Sequence, residues 1–304
     1  MTRPADNSPR KPRIGLALGS GSARGWSHIG VIRALEEAGI RPDLVCGTSI
    51  GAIVGAAYAA GELDRFEQWV RGMRVVDVIS FMDVSMSGGA IKGERLMQFL
   101  RSHFVDRQIG ELAMPFGAVA TVLHTGAEVW LREGATLDAV RASFALPGLF
   151  TPVMRDGKML VDGGLVNPVP VSLARAMGAD IVVAVDLASD KLGRRLKEEP
   201  GHAPPGALVN EWARKLKENL GPLLPARGAD DARLPSMVDV LISSIDVMQV
   251  RIGRSRLAGD PPDVIVTPRV AQLGLLDFHR ASEAIEEGKR ALAVALPGIR
   301  QLGI

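Results

Sequence analysis

The chain has 304 residues, enough to bury one large core or two smaller ones. With 47% hydrophobic residues, 23% charged residues and 34 glycines it has the composition of a globular protein, and a formal net charge of +2 gives no ground for a nucleic-acid partner. The single cysteine, Cys46, cannot form an internal disulfide, which fits a reducing compartment.

The first residues, MTRPADNSPRKPR, are polar and basic, with no apolar stretch behind them like the core of a signal peptide. They read as a disordered tail over residues 1–13, ahead of a cytoplasmic protein. Ile14 to Leu18 is a short apolar strand, and Gly19-Ser20-Gly21-Ser22-Ala23-Arg24-Gly25 is a loop. Residues 28–38 have helical periodicity through Ile29, Ile32 and Leu35, ending at Gly39. Strand, glycine-rich loop and helix also open a dinucleotide-binding unit, which needs an acidic residue at the end of the second strand, about 20 residues on. Here that strand ends in Gly47-Thr48-Ser49 and Asp43 precedes it, so a dinucleotide site fails on placement. The loop suits an oxyanion hole instead, with backbone N–H groups that face a developing negative charge and Arg24 fixing the loop.

Residues 44–61, LVCGTSIGAIVGAAYAAG, carry no charge. A membrane-spanning helix wants about 20 strongly apolar residues, whereas this stretch is rich in glycine and alanine. It reads as a buried strand over 44–46 and a tightly packed helix over 52–60, joined by a corner. The corner, Gly47-Thr48-Ser49-Ile50-Gly51, matches G-x-S-x-G, the nucleophile elbow. In that turn the serine takes a strained conformation, the flanking glycines remove colliding side chains, and the helix beginning at Gly51 points its amides at the reacting carbonyl. On its own the pentapeptide also fits an ordinary tight turn between strand and helix.

Further on, VVDVISFMDVSMSGGAIKGERLMQFLRSHF joins an apolar segment with Phe81 and Met82 to a Gly-Gly turn and a helix, which fits a flap over an acyl pocket or plain core packing. Residues 116–123 and 128–132 look like paired strands. A hairpin turned at Asp156-Gly157 runs into Asp162-Gly163-Gly164, Asn167-Pro168-Val169-Pro170 leads to a helix, and Ile181 to Val185 has the unbroken apolar run of a central parallel strand. An Asp past a strand end with two glycines behind it is either a plain turn or a carboxylate with room to approach another loop. In the second case a Ser–Asp dyad arises, the carboxylate acting as base.

Residues 190–234 change character, with many prolines, glycines and charges, and read as an insertion. Inside it Leu208, Trp212, Leu216 and Leu220 recur every four residues beside Arg214, Lys215 and Lys217. Such a stripe suits a membrane surface or, the preferred alternative, a helix docked on the core or on a second subunit. Residues 237–257 and 281–296 are further helices, and Val264 to Val266 a last strand. No internal repeat, metal-ligand cluster or P-loop is present in the sequence. Of the five histidines, His202 and His279 lack a supporting motif, His28 and His103 fall on helices, and His124 ends a strand, so each reads as structural or surface. The elbow also comes after two strands, too early for the Ser, acid, His order of the α/β-hydrolases.

An oxyanion-type loop, an elbow about thirty residues later and Asp-Gly-Gly beyond it, in this order, resemble the patatin-like phospholipase family, in particular its compact bacterial members similar to neuropathy target esterase. The resemblance covers residues 14–186 and continues more weakly through RLAGDPPDVIVTP and LGLLDFHRASEAIEEGK. It implies a three-layer α/β/α fold with a mainly parallel central sheet in one domain over 14–304, and hydrolysis of lipid acyl esters, phospholipid or lysophospholipid, without cofactor or metal. By motif position Ser49 is the nucleophile and Asp162 the proton acceptor, with Gly47, Gly51, Gly163 and Gly164 shaping the two turns. The N–H groups near Gly21 and Ser22, with that of Ile50, form the oxyanion hole, and Arg24 supports the loop. The chain departs from the family where Ser20 and Ser22 replace two glycines, which adds bulk and restricts backbone angles. That leaves two rivals to the enzyme: an inactive lipid-binding or regulatory protein on the same fold, and a conventional Ser-His-Asp hydrolase. A cytoplasmic location, peripheral contact with the inner membrane surface and a homo-oligomer complete the expectations.

Overall fold

Short runs of apolar residues, most without a polar interruption, form the spine of the molecule, a computed structural model that describes residues 10–81, 92–104, 106–189 and 237–304. β1 (Ile14–Leu18), β2 (Leu44–Thr48) and β3 (Phe116–Val122) are buried along their whole length, as strands covered on both faces must be. With β7 (Ile181–Val185) and β8 (Val264–Val266) they form a parallel array in the order β3-β2-β1-β7-β8. Three strands run antiparallel: β4 (Glu128–Leu131) and β6 (Lys158–Asp162) on β3, and β5 (Val153–Arg155) on β6. The β5–β6 turn is Asp156-Gly157, both at positive φ, as its sequence predicts.

Successive side chains leave opposite faces of a strand, so the apolar runs feed two cores. Leu16, Leu18, Val45, Val183 and Val185 join one core with α1 (Ser27–Glu37), α2 (Ile50–Ala59) and α9 (Ala281–Gln301). Ala17, Leu44, Cys46, Val182 and Ala184 join the other with α7 (Val171–Ala176). Helix, sheet and helix thus stack in the three layers expected. The remaining helices are α3 (Leu63–Arg71), α4 (Val75–Ser80), α5 (Glu94–His103), α6 (Thr136–Ser143) and α8 (Met237–Gly259).

Three local differences from the sequence expectations have physical reasons. The loop after β1 contains a 3-10 turn at Ser22–Trp26 that leads straight into α1. The helix expected over 281–296 continues past Pro297 to Gln301, since proline removes a single backbone donor and buried Ile299 anchors the last turn. Arg10 to Arg13, within the expected tail, are tied to Asp180, through the Arg10 guanidinium and the Arg13 N–H. Residues 1–9, the segment from Met82 to the Gly-Gly turn, and the expected insertion with its Leu208–Leu220 stripe lie outside the described residues.

Strand register brings two distant corners together. β2 pairs Thr48 with Val119 of β3, and β6 pairs Asp162 with Ala120. Both Val119 and Ala120 meet β4 on their other side, through Trp130 and Val129. β2 and β6 therefore share one edge of β3 and run towards each other, so their final residues meet at adjacent positions.

Candidate active site

Ser49 follows directly on β2 with φ 58° and ψ −121°, and besides Ser22 and Asp156 it is the only non-glycine at positive φ among the described residues. Such a conformation costs about 1–3 kcal/mol and persists only where neighbours enforce it. The neighbours are visible. A Cβ on Gly47 would lie 2.2 Å from the Gly51 carbonyl oxygen, and one on Gly51 would lie 2.2 Å from that of Leu18, so only glycine lets the turn close. The Ser49 N–H donates to Ser143 Oγ at 2.9 Å, and the Thr48 hydroxyl donates to the Asn167 carbonyl at 2.9 Å.

Asp162, at the tip of β6, is almost wholly buried. Its backbone is held on both sides: its N–H donates to the Ala145 carbonyl at 3.0 Å, and its own carbonyl accepts from the Thr121 hydroxyl at 2.8 Å. Oδ1 accepts the Gly164 N–H at 2.7 Å, and Oδ2 accepts the Ser49 hydroxyl at 2.6 Å. Gly163 is required here because a Cβ would sit 2.2 Å from the Val119 carbonyl oxygen. Burial raises the carboxyl pKa to about 6, against the opposing pull of the Ser49 and Gly164 hydrogen bonds. A hydroxyl donating to such a carboxylate is arranged to lose its proton as its oxygen attacks an electrophile.

The loop after β1 divides its amides between structure and open space. Gly19 donates to Val185, Ser20 to Pro168 and Ala23 to Leu275, whereas the N–H groups of Gly21, Ser22 and Ile50 have no hydrogen-bond partner among the described residues. Ser22 takes φ 54°, where glycine is at ease, and its hydroxyl donates to the Leu275 carbonyl at 2.6 Å. Buried Arg24 donates from Nε to the Leu273 carbonyl at 2.9 Å, tying the loop to the segment ahead of α9.

The patatin-like phospholipase family profile matches residues 16–175, a span that holds the loop, the elbow and the Asp-Gly-Gly turn. An uncharacterized NTE family protein of Mycobacterium tuberculosis is 33% identical over 332 residues, covering 93% of this chain and 90% of that protein. The chain belongs to the patatin-like phospholipase family. Human patatin-like phospholipase domain-containing protein 6 is 34% identical over 239 residues, which cover 75% of this chain and 16% of that longer protein. Among solved structures, VipD from Legionella pneumophila matches at a TM-score of 0.47 with 14% identity, over 93% of this chain and 66% of its own. Membership of the patatin-like family supports lipid hydrolase activity in general.

A cavity of roughly 1150 Å3, counting its open mouth, lies over Ser49 and Asp162. Trp69, Phe81, Leu100, Phe144 and Phe150 give it an apolar wall, so Phe81, at the edge of the expected flap, does face the site. None of the described residues lining it is a histidine. His28 is buried, and its Nε2 meets the Gly19 carbonyl oxygen at 2.8 Å; burial lowers its pKa to about 4, so it is neutral and donates from Nε2. Its task is to hold the entry to the loop. His103 stacks on Phe99 at the surface, His124 is exposed, and His279 sits in a 3-10 turn, Phe278–Arg280. His202 lies outside the described residues.

Three residues at the site escape sequence reasoning. Ser143, which receives the Ser49 N–H, ends α6 in an unremarked VRASFALP. Asp246 and Gln249, which line the cavity from α8, sit in a stretch that the sequence marks only as a further helix. Each reaches the site through contacts far apart in the chain, and no local motif marks it.

Proposed function

We propose that the protein is a serine esterase that cleaves carboxylic esters of phospholipids, lysophospholipids or related lipids through an acyl-enzyme. The observation that carries this reading is the 2.6 Å hydrogen bond from Ser49 Oγ to a buried Asp162 carboxylate at the base of an apolar cavity. Ser49 Oγ attacks the ester carbonyl carbon while its proton passes to Asp162 Oδ2. The tetrahedral oxyanion is held by the N–H groups of Gly21, Ser22 and Ile50, which have no other partner among the described residues, and by the N-terminal end of α2. Collapse expels the alcohol with the proton from Asp162. Water, deprotonated by the same carboxylate, then releases the fatty acid and restores the Ser49 hydroxyl.

Of the two serines that replace family glycines, Ser22 is compatible with an active site. Ser22 accepts the positive φ, and its hydroxyl is turned onto Leu275, so the bulk added there does not block the amides. A histidine triad lacks support, since no histidine among the described residues lines the cavity. The proposal includes a cytoplasmic location and, for the Leu208–Leu220 stripe, docking on the core or on a second copy of the chain in preference to contact with an anionic membrane, which thermal stability, light scattering and liposome co-sedimentation distinguish. Turnover of p-nitrophenyl and phospholipid esters tests the chemistry. Ser49→Ala abolishes it, Asp162→Asn lowers it by on the order of a hundredfold or more, and single replacements of the histidines cost much less. A histidine variant as damaged as Asp162→Asn overturns the dyad.

A further inference from the structure

The cavity over Ser49 has a smaller neighbour. Ile53 and Ala57 of α2, Ala60 just beyond it, Leu100 and Phe104 at α5 and Leu137 of α6 line a second cavity of roughly 440 Å3, counting its open mouth. Among the described residues its polar lining is Glu62 and Thr136, and the Thr136 hydroxyl already donates to the Arg107 carbonyl at 2.7 Å. The space has a local cause. Positions three and four apart share a helix face, and on this face bulky Ile53 is followed by Ala56, Ala57 and Ala60, too small to fill the gap to α5 and α6.

Ile53 and Leu100 line both cavities. Side chains that face two cavities stand between them, and these two meet from different helices, Leu100 buried and Ile53 half-buried. Ser49 directly precedes α2. At the rise of a helix, Ile53 lies about 6 Å and Ala60 about 16 Å further along its axis. The second cavity therefore continues in the direction in which α2 leaves the nucleophile. An acyl chain on Ser49 that follows α2 meets Ile53 and Leu100 as a partition, with apolar space behind it. We infer that Ile53 and Leu100 set the longest acyl chain the site accommodates, and that the second cavity receives the end of a longer chain once the partition is cut back. This rests on the serine-esterase reading above and concerns the acyl half of the ester, whatever its alcohol.

The test measures kcat/KM for p-nitrophenyl esters from acetate to palmitate in the full-length protein and its variants. The palmitate to octanoate ratio is taken within each protein, so a general loss of turnover or a difference in ester dispersion cancels between proteins. In the wild type kcat/KM stops climbing before palmitate. Leu100→Ala climbs further and raises the ratio by about tenfold, the worth of about two more methylenes in apolar surroundings. That variant also loses buried contacts and stability. Ile53→Ala opens the same partition from the half-buried side, moves the ratio in the same direction, and decides the matter if Leu100→Ala does not fold. Ala57→Leu, which fills the second cavity from α2, leaves the wild-type ratio unchanged and cancels the gain when combined with Leu100→Ala. A wild type that climbs evenly to palmitate overturns the inference. So does a ratio unmoved in the folded partition variants, or a gain that survives Ala57→Leu. Fluorophosphonate labelling separates the two layers. A protein that labels at Ser49 and keeps one chain-length profile in every variant overturns only the partition. One that neither labels nor turns over ester overturns the esterase reading and this inference with it.

Discussion

A carboxylate buried away from water weakens the fold that holds it, and Asp162 has a measurable signature of this. Its pKa rises from 3.8 to about 6, so between those values the folded chain binds the extra proton. Stability from this group is therefore greatest below the unfolded value, and is lost as the pH rises through 6, by up to about 3 kcal/mol. Neutral, buried His28 has the opposite sign. Its pKa falls from 6.5 to about 4, so its contribution is complete above 6.5 and is lost as the pH falls towards 4. Across the shared window the two slopes oppose each other. Asp162→Asn should raise the melting temperature at pH 8 and expose the His28 slope, with stability falling from pH 6.5 to 4 more steeply than in wild type. In the active protein kcat/KM should rise with pH along a limb centred near 6. A limb near 4, together with an unchanged melting temperature for Asp162→Asn at pH 8, would show that the carboxylate is not strained by burial.

Contacts between elements set this site, and they were legible in the sequence to different depths. The apolar runs of β1, β2 and β7, the G-x-S-x-G corner and the Asp156-Gly157 turn are local patterns, and each could be read where it stands. The Ser49–Asp162, Ser49–Ser143 and Ser20–Gln249 contacts span 113, 94 and 229 residues, and depend on the register of β3 and the packing of α6 and α8. No local period encodes those. The α1–α9 contact is similar: Gly30 reads as an ordinary helical glycine, yet a Cβ there would lie 1.8 Å from the Ile285 carbonyl oxygen, and one on Gly288 would lie 2.0 Å from that of Ser27. Two helices thus touch backbone to backbone just behind the loop that follows β1. In an exposed helix Gly→Ala gains up to about 1 kcal/mol. Here Gly30→Ala should instead destabilise by about 2 kcal/mol, because the helices must move apart. Chemical denaturation decides the sign, and a stabilised variant would show that the interface yields easily.

At the scale of the whole molecule, the three layers leave a large cavity whose apolar wall is built by α3, α4 and α5 with the segment that follows α6. Each methylene transferred from water to such a wall is worth up to about 0.8 kcal/mol, roughly threefold to fourfold in kcat/KM. Along a series of p-nitrophenyl esters, activity should climb at about that rate from short chains and level off once the chain fills the cavity. A flat series would place the acyl group elsewhere. The chemistry beneath that wall is tested most directly by mass spectrometry of protein treated with a fluorophosphonate, followed by peptide mapping. One adduct on Ser49 is expected, absent in Ser49→Ala and formed at least about a hundredfold more slowly in Asp162→Asn. An adduct on another serine, or an Asp162→Asn variant that labels at the wild-type rate, would contradict the Ser49–Asp162 dyad.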